Sequence, residues 1–280
     1  MASYGVDTWI YVALPIEDAL KRIKEKGISY VELSYEHFSG LKDTRALRLK
    51  AKEVADRLSS LGLRATQMHA PFGEIELRLS SDKETTRKRA LEELGAWIEA
   101  CSIMDVTTLV VHTVRRKLTI DETFSKSIAK LERINIEVFR QLAKYASEWG
   151  VEIAVENRLE ETFGATPRDL LLLVERTDPS YIGICLDTGH ANIRGLNIAD
   201  FIKAVGEHLI ATHIHDNDGK GDQHLPPLMG NIRWGEFVEA IRLIGYRRPL
   251  IAEIAGYKDL IKCDNNLDLM RLAMEHLLRG

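Results

Sequence analysis

The segment IATHIHDNDGKGDQH, residues 210–224, decides how the rest of the chain is organised. Its apolar beginning predicts a buried strand that ends at His213 and His215 and continues into a glycine-rich loop carrying Asp222 and His224. Residues two apart on a strand share a face, so the two imidazoles point the same way where the strand leaves the core. Burying imidazole and carboxylate groups is costly unless they are paired or bind a metal. The segment therefore predicts a metal or polar site at a strand end.

On both sides of this segment, short β-rich apolar runs alternate with longer amphipathic charged segments, which is typical of βα units on a parallel sheet. Strands are predicted within Tyr4–Val12 and at Tyr30–Leu33, Ala65–His69, Thr108–His112, Glu152–Glu156, Ile182–Asp187, Leu209–His213 and Leu250–Glu253. Helices are predicted at Glu17–Lys26, Asp43–Leu61, Ser81–Ser102, Asp121–Trp149, Thr166 to Thr177, Asn197–Glu207, Asn231–Ile244 and Leu267–Leu278. Eight such units predict an α/β fold, a single (β/α)8 TIM barrel spanning residues 1–280.

The composition is that of a globular protein in water, since 45% of the 280 residues are hydrophobic and 29% are charged. The formal net charge of -4 gives no basic field, so we expect neither nucleic acid nor a membrane as a partner. The three cysteines lack metal-binding or redox spacing and predict buried thiols in a reducing compartment. There is no signal-like N-terminal segment and no apolar stretch long enough to span a bilayer. We therefore expect a cytoplasmic protein.

Six of the predicted strands end in a residue type that binds metals. In a barrel of parallel strands all C-terminal ends lie on one face, so these side chains must crowd a single mouth. They are His69, His112, Glu156, Asp187, His213 and Glu253. Three carboxylates cannot share one buried mouth without cations, so the set predicts a metal site at the C-terminal ends of the strands.

Further candidate ligands lie in the loops after strands six and seven. His190 comes three residues after a strand-terminal aspartate, and Asp222 and His224 repeat a two-residue spacing on the glycine-rich loop. His215 is a ligand, a donor to a ligand or a substrate contact, and Lys220 between two glycines could grip a phosphate or a carboxylate. No Gly-x-Gly-x-x-Gly, Walker or Gly-x-Ser-x-Gly motif is present, so the sequence predicts neither a nucleotide fold nor a serine hydrolase.

Four motifs follow one another at the ends of strands five to eight: VENR at 155–158, LDTGH at 186–190, HIHD at 213–216 and IAE at 251–253. Together they resemble the xylose-isomerase-like TIM-barrel superfamily, and the resemblance extends over essentially the whole chain. That superfamily contains sugar isomerases and epimerases of the tagatose-epimerase type, inosose dehydratases and endonuclease IV-type AP endonucleases. The motifs are specific for the superfamily and poorly specific for the substrate.

The resemblance implies one divalent metal ion bound by Glu156, Asp187, His213 and Glu253. Three carboxylates and one imidazole suit Mn²⁺, Co²⁺ or Mg²⁺, and added histidine ligands would favour Zn²⁺. Glu156 and Glu253 would be the catalytic pair: one removes a proton alpha to a carbonyl, and the other returns one to the metal-stabilised enediolate. The implied function is a metal-dependent isomerase or epimerase of a sugar or sugar phosphate.

By the same resemblance His190 contacts substrate oxygens, and Arg158 either contacts substrate or positions Glu156. His215 and Lys220 are further candidate substrate contacts. Loops after strands one, two and seven are expected to set the substrate, with candidate contacts at Trp9, Glu32, Phe72 and Trp234. Barrels of this type often pair, so a homodimer or homotetramer is compatible with the resemblance.

Two alternative functions stay open on the same scaffold. The nuclease-type members bind three zinc ions, and their additional ligands match His69, His112, His190, Asp222 and His224. Against that function stand the acidic charge balance and the Thr-Gly before His190, where the nucleases usually have a cysteine. An inosose-dehydratase-like lyase is the other alternative function. A barrel that binds a metal or a sugar without catalysing a reaction is a further, non-enzymatic alternative.

Overall fold

The computed structural model of the protein describes residues 3–116 and 124–279. Within these residues there are eight strands, and each of them overlaps one that the sequence predicted. They are β1 Tyr4–Asp7, β2 Tyr30–Leu33, β3 Arg64–His69, β4 Thr108–His112, β5 Glu152–Glu156, β6 Ile182–Asp187, β7 Leu209–His213 and β8 Leu250–Ala252. The first predicted run is a strand only as far as Asp7, because a 3-10 helix, Thr8–Tyr11, follows it directly.

The same residues form ten α-helices between and after the strands. They are α1 Ile16–Glu25, α2 Thr44–Leu61, α3 Glu74–Leu79, α4 Glu84–Ile103, α5 Phe124–Trp149, α6 Pro167–Arg176, α7 Thr188–Ile193, α8 Ile198–Val205, α9 Trp234–Leu243 and α10 Leu260–Arg279. The predicted helix Asp121–Trp149 corresponds to α5, and its predicted beginning at Asp121 lies outside the described residues. No helix of the described residues is long and apolar enough to cross a membrane.

Helix boundaries follow local chemistry. The side chain of Asp43 accepts from the N–H of Ala46 where α2 begins, and Gly62, with φ of 59°, ends that helix in the left-handed region. The side chain of Thr166 accepts from the N–H of Asp169 where α6 begins. The position of Thr166 before Pro167 predicted this cap. The sequence did not predict α3 and α7, because each has only six residues and follows a strand almost immediately.

The eight strands form one parallel sheet in the order β7-β6-β5-β4-β3-β2-β1-β8. The sheet closes between β7 and β8, where Ile214 N–H donates to Ile251 O at 2.8 Å and Glu253 N–H donates to Ile214 O at 3.2 Å. The prediction of a (β/α)8 barrel is therefore confirmed. Closure brings all the C-terminal strand ends to one mouth.

Most of the apolar core lies between the strands and the surrounding helices. Inside the barrel, beneath the mouth, a small separate cluster contains only short side chains: Val110, Ala154, Cys185 and Ala211. Cys101 and Cys263 are buried as well, so the prediction of three buried free thiols is confirmed. Burial raises the pKa of the Cys185 thiol well above its usual value, which keeps this group inert.

Candidate metal centre and active site

The mouth of the barrel gathers the six polar strand ends that the sequence predicted to converge. None of the six side chains is more than 15% exposed. Five of them are the last residues of strands and the sixth directly follows β8: His69, His112, Glu156, Asp187, His213 and Glu253. The barrel therefore brings together groups that are up to 184 positions apart in the sequence.

Three of the four predicted ligands of a single metal ion face a nitrogen of the fourth, Nδ1 of His213. This atom lies 3.4 Å from Glu156 Oε2, 3.7 Å from Glu253 Oε2 and 4.0 Å from Asp187 Oδ2. The four side chains come from the ends of β5 to β8, so the two glutamates flank the aspartate and the histidine. Donors bonded at about 2.1 Å to one cation lie roughly 3 to 3.5 Å apart, which is close to the separations found here.

The surroundings of His213 Nδ1 indicate that a cation fits this position. It is buried and has no hydrogen-bond partner. The other ring nitrogen, Nε2, donates at 2.9 Å to the carboxylate of Glu32, which also accepts from Gln67 Nε2 at 2.7 Å. With its hydrogen on Nε2, the ring presents the Nδ1 lone pair to three carboxylates. One imidazole and three carboxylates form a suitable donor set for a divalent cation.

A second group of donors surrounds Oε2 of the same Glu156. His69 Nε2 lies 3.2 Å and His112 Nε2 lies 3.0 Å from this oxygen. Each ring is held through its other nitrogen: His69 Nδ1 lies 2.7 Å from Ala70 O, and His112 Nδ1 lies 3.0 Å from Glu76 Oε1. Both rings therefore direct Nε2 at a carboxylate that also belongs to the first group.

A third group is formed by His190, Asp222 and His224. Asp222 Oδ2 lies 3.5 Å from His190 Nε2 and 3.1 Å from His224 Nε2. The Nδ1 atoms of the two rings contact backbone carbonyls, Asn157 O and Glu253 O, each at 3.0 Å. His224 adopts a φ of 45°, in the left-handed region that residues with a side chain enter uncommonly.

The loop that carries Asp222 and His224 is anchored by the buried Asp216. Its backbone pairs with Leu225 in both directions, at 2.8 and 2.9 Å. Its carboxylate accepts from the N–H groups of Asn217 and Ile232 and from Trp234 Nε1. The glycine-rich segment is therefore fixed at both ends by one aspartate.

His215 contacts Asp187 and packs under the third group. Its Nε2 donates to the Asp187 carboxylate at 3.0 Å, and its ring stacks on that of His224 with centroids 4.0 Å apart. A methyl group on Gly189 would lie 1.9 Å from His215 Cε1, so only glycine leaves room for this ring. His215 thus donates a hydrogen bond to Asp187, which is a predicted metal ligand. Its contact with substrate stays a prediction.

The other candidate substrate contacts divide into wall residues and buried residues. Phe72 is 43% exposed, and its ring lies 5.1 Å from Tyr35, 5.5 Å from His69 and 5.2 Å from His112. The Trp9 ring lies 5.0 Å from the His224 ring. Aromatic rings thus stand in the loops after β1, β2 and β3, beside histidines of the mouth.

Two further candidate contacts, Glu32 and Trp234, are buried, and their polar atoms already contact His213 and Asp216. Contact with substrate stays a prediction for both. Arg158 donates to Glu76 and Glu160 rather than to Glu156. Lys220 lies exposed on its loop, where its backbone N–H donates to Asp218 at 2.9 Å. For Arg158 and Lys220, contact with substrate remains a prediction.

The sequence did not reveal Glu76 and did not assign Glu32 to His213. These carboxylates lie 36 and 181 positions from the histidines that they hold. No local pattern marks either contact, because each forms only after the barrel has closed.

Charges in the mouth compensate one another. Burial opposes ionisation of Glu156, but the surrounding imidazoles, chiefly His112 and His213, hold its pKa well below the usual value. Burial also opposes protonation of His69 and His224, yet the carboxylates around them raise both pKa values to about 9. Protons on imidazoles thus balance the carboxylates, and a divalent cation can supply the same compensation by displacing them.

The chain is similar in sequence to several known proteins. An uncharacterized protein of Methanocaldococcus jannaschii is 29% identical over 266 residues, covering 92% of this chain and 86% of the relative. The D-psicose 3-epimerase of Enterocloster bolteae is 26% identical over 237 residues, with 84% and 75% covered. A probable endonuclease 4 of Methanosphaerula palustris is 26% identical over 188 residues, with 59% of each chain covered.

Among solved structures, a D-tagatose 3-epimerase-like protein superposes with a TM-score of 0.75 at 26% identity, over 99% of this chain and 100% of the other. The family model described as the xylose isomerase-like TIM barrel matches residues 20–279. The barrel, its mouth and this match agree with the resemblance seen in the sequence, and the chain belongs to the xylose isomerase-like TIM-barrel family.

Proposed function

We propose that the protein is a divalent-metal-dependent isomerase or epimerase of a sugar or sugar phosphate. The observation that carries this proposal is the unpartnered Nδ1 of His213, which faces Glu156, Asp187 and Glu253 at 3.4 to 4.0 Å. Similarity to D-psicose and L-ribulose 3-epimerases supports the reaction class.

Glu156 and Glu253 hold the two positions from which a proton can be exchanged with a substrate carbon. They lie at the ends of β5 and β8, on either side of the Asp187–His213 pair. One takes the proton alpha to the carbonyl, and the other delivers a proton to the opposite face or to the neighbouring carbon. A divalent cation, when bound, polarises the carbonyl and favours the enediolate. The aromatic rings at the mouth can cover the C–H face of the sugar.

Deuterium exchange tests this proposal directly. The protein is incubated in D₂O with a panel of ketoses and ketose phosphates, each with Mn²⁺, Co²⁺, Mg²⁺ or Zn²⁺. We expect deuterium at the carbon alpha to the carbonyl of at least one substrate, only when a metal is present. Loss of water from a substrate would instead identify a lyase. Absence of exchange throughout the panel counts against the proposal.

A second candidate function is cleavage of a phosphodiester at abasic DNA by a site with several metals. Two further donor groups favour it, His69–His112–Glu156 and His190–Asp222–His224, which adjoin the first group. Several cations can stabilise both the attacking and the leaving oxygen of a phosphodiester. The net charge of -4 weighs against a nucleic-acid substrate.

Elemental analysis and a nicking assay separate the two functions. Three metal ions per chain together with incision of an abasic duplex that EDTA abolishes would establish the second function. One tightly bound ion per chain and no incision would exclude it.

A further inference from the structure

Glu76 is a buried carboxylate beside the mouth to which the proposed function assigns no role. It lies on the short helix α3, which begins after Gly73, and it is 3% exposed. Its oxygens accept from His112 Nδ1 at 3.0 Å, Arg158 Nη1 at 3.1 Å and Arg115 Nε at 2.5 Å. One imidazole and two guanidinium groups therefore surround this carboxylate, which accepts from all three.

His112 bridges this carboxylate and that of Glu156. Its Nδ1 faces Glu76, and its Nε2 lies 3.0 Å from Glu156 Oε2. A carboxylate only accepts, so in the neutral ring Glu76 holds the hydrogen on Nδ1 and leaves the lone pair on Nε2. Nε2 of His69 is presented to the same oxygen, with a backbone carbonyl holding its Nδ1.

Two arginines hold Glu76 in place without adding net charge beside the cation site. Arg158, 4% exposed, donates through Nη2 and Nε to Glu160 at 3.1 Å, and Arg115 reaches the same Glu160 at 3.3 Å. The two negative charges of the carboxylates balance the two positive charges of the guanidinium groups. The network joins α3 to the segments that follow β4 and β5.

We propose that Glu76 is a positioning residue that holds His112 as the Nδ1–H tautomer, so that His69, His112 and Glu156 together can bind a cation. This inference rests on cation binding in the mouth, which the proposed function requires, but it concerns the second donor group rather than the four-ligand site around His213. Glu76 itself touches neither substrate nor cation. Carboxylates that hold a ligating histidine typically change metal affinity by about 10- to 100-fold when they are removed.

Titration with Co²⁺ tests the proposal on the full-length protein, by calorimetry and by visible absorption. In Glu76→Leu we expect binding at the His69–His112–Glu156 group to weaken by about 10- to 100-fold, with a changed ligand-field spectrum. Glu76→Gln should restore most of the affinity, because its amide oxygen can still accept from His112 and Arg158. Glu160→Gln is the matched control, since Glu160 contacts the same arginines but not His112.

The outcomes separate this inference from the proposed function. If the wild-type protein binds no Co²⁺, the proposed function fails. If it binds Co²⁺ and Glu76→Leu binds equally well, or if Glu160→Gln weakens binding as much as Glu76→Leu, only the role of Glu76 is overturned. Should Glu76→Leu not fold, nitrogen NMR of the zinc-loaded wild type decides: the His112 hydrogen is expected on Nδ1, and finding it on Nε2 overturns the proposal.

Discussion

Glu32 lies directly behind His213, with the two side chains fully buried and the imidazole Nε2 2.9 Å from the carboxylate. This contact decides which nitrogen of His213 faces the mouth. Nδ1 is left without a hydrogen-bond partner among three carboxylates. Glu32 therefore positions a ligand of the proposed metal centre, although it is itself fully buried.

Replacing Glu32 by glutamine should weaken cation binding about 10-fold, the lower end of the range for such contacts. Glu32 Oε2 accepts from both His213 and Gln67, and the second oxygen also lies 3.1 Å from His213 Nε2. A glutamine can keep the first two contacts, but its NH₂ group would face the N–H of the ring. Calorimetric titration with Mn²⁺ measures the effect. An unchanged Kd in a folded variant contradicts it.

Replacing Gly189 by alanine should displace His215 and weaken metal binding through Asp187. The added methyl would lie 1.9 Å from Cε1 and 2.5 Å from Nδ1 of the ring, so the contact with Asp187 cannot persist. Overpacking of this kind typically destabilises a protein by about 1–3 kcal/mol. Thermal unfolding and Mn²⁺ affinity are the measurements.

The matched control for that variant is Gly235→Ala. Gly235 is an exposed residue of α9, and nothing lies within 4 Å of a methyl group placed there. Its Tm should stay the same or rise, since alanine is favoured over glycine in helices by up to about 1 kcal/mol. Equal behaviour of the two variants would show that the His215 ring is not confined by Gly189.

Glu156→Gln and Glu253→Gln should each abolish turnover of whichever ketose exchanges deuterium. Losing a general acid or base typically costs about 100- to 10,000-fold in rate, and Glu156 also contacts both neighbouring donor groups. The exposed Glu175 on α6 provides a control, because Glu175→Gln leaves the mouth unchanged. Full activity in either mouth variant would remove the two-carboxylate mechanism.

Cation affinity should rise with pH between 6.5 and 8.5, because binding displaces protons from imidazoles. The carboxylates around His69 and His224 raise the pKa of each ring to about 9, so both rings are protonated at neutral pH and lose their protons as the pH approaches 9. Metal ligation requires the neutral ring. Titrations at pH 7 in two buffers of different ionisation enthalpy count the protons released. A count of zero is incompatible with ligation by these histidines.

Much of the fold was predictable because local patterns determine it. Apolar runs alternating with amphipathic segments predicted all eight strands, and Gly62 and Thr166 marked helix boundaries correctly. The short helices α3 and α7 were missed, since six residues carry too little periodicity. They depend on a glycine at 73 and on the Asp187 side chain accepting from His190 N–H.

The sequence by itself determined that metal-binding residue types stand at the ends of five strands and directly after a sixth, and parallel strands force such ends to one mouth. Only the tertiary structure decided how each ring is oriented. Glu32 behind His213, Glu76 behind His112 and Gly189 beneath His215 are contacts between segments distant in the chain. The strand end fixes the position of the histidine backbone. The hydrogen bond to the ring nitrogen that points away from the mouth fixes which nitrogen faces the cation site. That partner is known only once the barrel has closed.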